Sequence, residues 1–214
     1  MYQPPHHRED RLEVQHALIR AHPFGTLITL CHDGIVANSI PFILEPGGSY
    51  GVLKGHVARA NAQWRDFDAA VEALVVFQGV DGYISPSWYE TKRETGKVVP
   101  TWNYVMVHAW GPMRAVEDRD WLASQIAALT RQQEESRAEP WAVSDAPASF
   151  VESQLKGIVG IEIPISRIEG KWKVSQNRPE ADRKGVVSGL IGAGDADSLE
   201  MAELVTAGGA KPPG

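Results

Sequence analysis

Hydrophobic and polar positions change period several times along the chain, and each change predicts an element. Residues 9–22 place Leu12, Val14, Leu18 and Ile19 on the apolar side of a helix that Pro23 stops. Phe24–Cys31 and Ile35–Leu44 read as strands around His32-Asp33-Gly34, where the Asp-Gly step signals a tight turn. Pro46-Gly47-Gly48-Ser49 turns the chain into a third strand, Tyr50–Gly55. Loops this short permit antiparallel neighbours but not parallel crossovers. Residues 58–70 predict a helix carrying Trp64 and Phe67, and Ala73–Gln78 and Gly82–Ser85 predict strands about an Asp81-Gly82 turn. The polar stretch Glu90–Val98, with Gly96, reads as a mobile loop.

Trp102–Val116 is the longest predicted strand. Tyr104, Met106, His108 and Trp110 alternate with Val105, Val107, Ala109 and Gly111, as in a barrel strand covered on both sides. Trp121, Leu122, Gln125, Ile126 and Leu129 give residues 119–133 helical spacing. Pro140 and Pro147 interrupt a mixed region with a short helix near Phe150, and isoleucine-rich Gly157–Ile168 is the last clear strand. One or two small helices are expected from Arg178. The pattern contains no internal repeat or convincing linker, so one domain is expected over residues 1–190. Residues 191–214 then form a weakly ordered tail or short helix. The economical architecture is mainly β, an antiparallel barrel with flanking helices.

Composition narrows the class. The 214 residues are 43% hydrophobic and 22% charged, enough to bury a substantial core. A formal net charge of −6 argues against a large nucleic-acid footprint, which needs clustered Lys and Arg, although a local basic patch stays open. Cys31 is the only cysteine, so no intramolecular disulfide forms, and its apolar flanks make it a packing residue. The N-terminus lacks the basic and apolar regions of a signal peptide. No apolar run approaches the roughly 20 residues that cross a bilayer, and a cytoplasmic location is expected.

Most chemical motifs fail. No His or Cys pair has zinc spacing, His6-His7 lie at a terminus expected to be mobile, and no metal is expected. Ser85-Pro86-Ser87 lacks a nucleophile-elbow context. Gly189–Gly194 lacks the glycine spacing of a phosphate loop and reads as a flexible helix end. Three polar-aromatic clusters remain. Gly55–Trp64 combines small residues, a helix start with free backbone donors, and Arg59, a pattern suited to an anion but also to an ordinary helix start. Gly82–Tyr89 and Val99–Tyr104 bring five aromatics beside hydroxyl and amide groups. That suits a flat heteroatom-rich ring, and equally an aromatic barrel rim. His108, in mid-strand, fits a hydrogen-bonded core histidine better than a catalytic base.

Together these stretches resemble the PaiB-type FMN-binding negative transcriptional regulators of bacteria. The resemblance is carried by Met1-Tyr2 with Pro4 and His6, Phe24–Leu27, Gly55-His56 through Asn61 to Trp64, Tyr83–Tyr89, Val99–Tyr104, Val107-His108 and Lys173–Arg178. It covers about residues 1–190; Ser-Pro-Ser-Trp-Tyr and Pro-Thr-Trp-Asn-Tyr are its most specific blocks. Two positions depart from the pattern: His7 stands where the family usually has Phe, and Ala62 where Pro commonly precedes Gln-Trp.

The resemblance implies an antiparallel split β-barrel of the flavin-reductase and pyridoxamine-phosphate-oxidase kind, a homodimer with FMN at the subunit interface. It places the FMN phosphate near Lys54, Arg59 and the backbone of Ala58, Ala60 and Asn61, and counts His56 among the cofactor-binding residues. The ring would lie near Asn38, Ser39 and Ile40 and near Trp102, Asn103 and Tyr104, one segment from the partner subunit. Lys173, Gln176 and Asn177 would close the ring edge or the phosphate end. The family name implies repression of transcription, although no helix-turn-helix or basic recognition helix is visible, so support for DNA as a partner is weak. The alternative is an FMN-dependent oxidoreductase, since the cofactor carries the electron chemistry. A third reading is a barrel whose cleft is empty or holds some other ligand. No catalytic residue is assigned.

Overall fold

The computed structural model describes residues 1–208; positions 209–214 of the predicted tail lie outside the described residues. The chain forms two compact units. The larger comprises Leu12–Phe77 and His108–Ile168; the smaller comprises Met1–Arg11, Gln78–Val107 and the described residues 169–208.

In the larger unit, helix α1 (Leu12–Ala21) precedes the hairpin of β2 (Phe24–Cys31) and β3 (Gly34–Pro41), which follows β1 (Arg8–Glu9) in the chain. Gly34 closes the hairpin at φ +116°, a conformation L side chains rarely adopt, which is why the Asp-Gly step works there. The predicted strand Ile35–Leu44 is two strands. Its second piece, β4 (Ile43–Glu45), joins another sheet because the Phe42 N–H donates to Pro23 O at 2.8 Å instead of to the ladder. After β5 (Val52–Ala58), the predicted helix 58–70 shrinks to α2 (Gln63–Asp66). The Arg59 N–H is taken by Gly157 O, and the Asp68 N–H by Leu30 O, so both flanks are committed elsewhere. Trp102–Val116 likewise divides into β7 (Thr101–Gly111) and β8 (Arg114–Val116) at Pro112, which cannot donate to a ladder. Helices α4 (Arg119–Glu134) and α5 (Ala148–Leu155) lead to β9 (Ile158–Pro164). One antiparallel sheet runs β4-β5-β9-β8; the unit also holds β3-β2 and the first half of β6 (Ala73–Ile84). Leu27, Phe42, Leu53, Val75, Phe77, Ile161 and Ile163 are buried in its core, as is Cys31.

In the smaller unit the order is β1-β10-β7-β6, with β10 (Arg167–Lys173) a strand that the sequence pattern did not reveal. The predicted Asp81-Gly82 turn does not form: β6 is continuous, and Gly82 keeps negative φ. Burial instead slips one residue along the strand, from Phe77 to Val80, so that a turn-rich composition sits inside a ladder. The predicted loop at residues 90–98 contains helix α3 (Glu90–Thr95), which ends at left-handed Gly96. Its first turn is bonded by Asp182 of α6 (Glu180–Ala193), whose carboxylate accepts from Thr91 N and Oγ1, both at 2.9 Å. Helix α7 (Ala196–Gly208) buries Met201, Ala202 and Val205.

The N-terminus is not the loose end expected. Its ammonium pairs with Glu169 at 2.5 Å, Gln3 donates to Gly170 O at 2.7 Å, and Arg8 and Glu9 pair with Lys171 and Gly170 of β10. His7, in a short turn over Pro5–His7, is buried. Among the described residues, no helix is long and apolar enough to cross a membrane.

Candidate functional site

Within the larger unit, Gln63 organises part of the predicted site. Its buried side-chain amide donates to Leu27 O, Thr29 Oγ1 and Val36 O and accepts from Asn38 Nδ2 at 2.9 Å. Its backbone N–H donates to Asn61 Oδ1 at 3.0 Å. Asn38 and Asn61 are thereby tied to one residue, while exposed Ser39 shares a 3.1 Å contact with Thr26. Gln63 lies in the Gly55–Trp64 cluster but is not among the predicted site residues, because its role depends on partners that only the fold brings to it.

The predicted phosphate end is more engaged than its composition suggests. Lys54 pairs with Glu45 at 2.5 Å and lies 5.8 Å from the Trp121 ring. His56 Nδ1 meets Gln125 Oε1 at 2.8 Å, which draws its ring to α4. Arg59 donates to Lys156 O and Ile158 O and pairs with Glu117 at 2.5 Å. The Arg59–Glu117 pair is solvent-exposed, so it contributes only about 0–1 kcal/mol and yields readily to a stronger anion. Ala58 and Ala60 are exposed and leave the backbone between them approachable. The Asn61 N–H bonds Ala58 O at 2.9 Å, so of the expected free backbone donors both Arg59 and Asn61 are already used.

In the smaller unit, Trp102, Tyr104 and Met106 alternate along β7 and line a depression of about 290 Å³ with Gln78 and Asp81 of β6. Trp102 is 54% exposed, and its ring stands 6.0 Å from that of Tyr83, itself 49% exposed. Two large aromatics left this open form one wall for a flat ring. Asn103 points to the other face of β7, where it is buried and exchanges hydrogen bonds with Ser175 at 2.9 and 3.3 Å. Lys173 Nζ donates to Thr101 Oγ1 at 2.5 Å and lies 5.8 Å from the Tyr104 ring. Burial, then the neighbouring Lys171 and Arg178 charges, push its ammonium below the ordinary lysine range against an opposing effect of Tyr104. Gln176 uses both ends of its amide locally, accepting from Val174 N and donating to Trp172 O; Asn177 is exposed. Thr101, Ser175 and Arg178 join Lys173 around a small polar cavity, and His7 joins them from a segment expected to be mobile.

A larger cavity of about 520 Å³ beside α4 and Trp141 holds none of the predicted site residues. Each unit holds chemistry of a kind that a flavin nucleotide uses: the smaller an aromatic wall with a cationic margin, the larger an amide cluster near Arg59. With antiparallel sheets and flanking helices, these features define the class as a flavin-binding split β-barrel.

Comparison with known proteins narrows this class. Residues 1–167 match the family described as "Putative FMN-binding domain". The Bacillus subtilis protease synthase and sporulation protein PAI 2 is 34% identical, with 96% of each chain covered. An uncharacterized protein of Emericella nidulans is 37% identical, again over 96% of each chain. The chain belongs to this PaiB-type family of FMN-binding proteins, and FMN is its cofactor. A flavocytochrome of Azotobacter vinelandii shares the fold, with a TM-score of 0.56 at 12% identity over 77% of this chain and 68% of that one.

Proposed function

We propose that the protein works as a homodimer with FMN at the subunit interface and acts in negative regulation without reading DNA bases itself. The observation that carries this reading is the half-open aromatic wall of Trp102, Tyr104 and Tyr83, which needs a second surface to enclose a ring. Asn38 and Ser39 would meet the polar edge of the ring, and Arg59, Asn61 and the exposed Ala58–Ala60 backbone the phosphate, with Glu117 giving way. Lys54 and His56 would support that end through β5, and Lys173, Gln176 and Asn177 would border the ring. When bound, FMN supplies one- or two-electron transfer; these side chains position it and exclude water. Indirect regulation fits the helices: α4 pairs Arg119 with Glu152 and Asp120, α6 pairs Lys184 with Glu180, and neither offers a basic recognition face.

The test is visible absorption of the purified protein after exhaustive dialysis, followed by FMN titration. About one flavin per subunit is expected. Arg59→Ala and Asn61→Ala should each weaken FMN about tenfold or more, the usual effect of losing a hydrogen bond to a charged group. Unchanged affinity in both removes the phosphate assignment, and absence of saturable binding removes the FMN reading. A specific gel shift on upstream DNA at low salt would show direct binding and overturn the indirect route.

The oxidoreductase reading is favoured by one observation, the polar cavity beside Tyr104. Anaerobic flavin reduction by NADH or NADPH would support it; no reduction by either would count against it.

A further inference from the structure

Three cations of the smaller unit, Lys171, Lys173 and Arg178, face aromatic rings and a hydroxyl rather than carboxylates. Lys171 is buried, with its ammonium 5.5 Å from the Tyr2 ring and 5.2 Å from that of Tyr104. Lys173 faces Thr101 and Tyr104, and the Arg178 guanidinium lies 4.7 Å from the Tyr89 ring. Among the described residues, no carboxylate forms an ion pair with any of the three. The nearby acids are engaged elsewhere: Glu169 by the N-terminal ammonium, Asp182 by Thr91 and Glu180 by Lys184. This contrasts with Lys54 and Arg59, which both have carboxylate partners.

Lys173 and Arg178 open onto a cavity of about 50 Å³ whose other walls are His7, Thr101, Asn103 and Ser175, with exposed Asn177 alongside. Every lining group is polar. His7 is 6% exposed, yet its Nδ1 has no hydrogen-bond partner among the described residues, and a buried polar atom of this kind ordinarily has one. Ser175 is held at φ +61°, the only positive value at a non-glycine residue in the described chain. Strain of this kind persists where surrounding structure fixes a side chain for use. Thr101 accepts from Lys173 and keeps its own hydrogen to donate. The volume is on the scale of one or two waters at roughly 30 Å³ each, so it admits the end of a ligand and not a ring.

We propose that this cavity seats a phosphate-type oxyanion, the end group of a small molecule other than the flavin. The protein thus acts on, or senses, a phosphorylated metabolite. This rests on the reading that the cofactor's own phosphate lies at the Arg59 end. Lys173 and Arg178 supply charge, Thr101 and Asn103 supply directed donors, and His7 completes the rear of the pocket.

The test is a titration of the full-length, FMN-loaded protein with inorganic phosphate, followed by NMR of the His7 ring and the Arg178 guanidinium. Saturable shifts at millimolar phosphate are expected. They should weaken about tenfold in Arg178→Gln and in His7→Phe, as for loss of one charge-assisted or buried polar contact, while both variants keep their flavin. Absence of saturable shifts overturns the proposal, as do shifts insensitive to both substitutions or acetate binding more tightly than phosphate. Phosphate that binds only flavin-free protein and competes with FMN also overturns it, because the cavity would then hold the cofactor's phosphate. Should the protein retain no flavin, the FMN reading fails separately, and the same titration of the flavin-free protein still decides the cavity.

Discussion

His7 shows how a single side chain changes meaning between sequence and structure. Burial lowers its pKa first, and His6, Lys173 and Lys171 lower it further, against an opposing effect of the neighbouring Gln176 amide. A folded-state pKa below the unfolded value of 6.5 means that the unfolded chain binds more protons between the two. Stability from this site is therefore present above pH 6.5 and is lost as pH falls through the lowered folded pKa. Denaturant unfolding from pH 7 to 5 should show a decline that His7→Phe makes shallower; parallel curves would remove His7 from the account. Sequence alone could name Asn38, Asn61 and Arg59 as polar candidates. It could not see Gln63 binding the first two, or Glu117 occupying the third, because those partners are set by folding.

At the scale of elements, the sequence pattern locates β2 and α4 closely because each carries its own period and punctuation. It misses α3, whose first turn depends on a carboxylate from α6. It places Gly189–Gly194 at a helix end, and α6 does stop at Gly194, but it gives Gly189 no packing role. Within α6, a Cβ at Gly185 would collide with the backbone of Trp88, and one at Gly189 with the Trp88 ring. These glycines let the helix lie against the 3-10 turn Pro86–Trp88, inside the Ser-Pro-Ser-Trp-Tyr block. Gly189→Ala should therefore destabilise the protein by about 1–3 kcal/mol through overpacking, even though alanine is the better helix former. Chemical denaturation decides this. A gain in stability would show that the contact is loose.

For the whole molecule, the outward side of the β2–β3 hairpin raises the question of assembly. Its cross-strand pairs Phe24–Pro41, Ile28–Ala37 and Leu30–Ile35 are apolar, and Ile35 is 78% exposed. β3 is also the last strand of its sheet. An edge strand with an apolar outer face is a ready surface for self-association, and a two-fold contact would use the same patch on both copies. Ile35→Glu should shift the light-scattering mass from dimer to monomer and reduce flavin retention. A dimeric mass in the variant would exclude this face, and a monomeric parent protein would exclude the dimer. The sequence by itself determined the antiparallel class, the tight turn at Gly34 and the presence of aromatic and amide blocks, since these follow from local period and residue chemistry. Only the tertiary structure decided which charges are neutralised, which termini and helices are held, and that His7, Thr101, Ser175 and Arg178 share a cavity. Those outcomes depend on contacts between residues far apart in the chain, which no local pattern records.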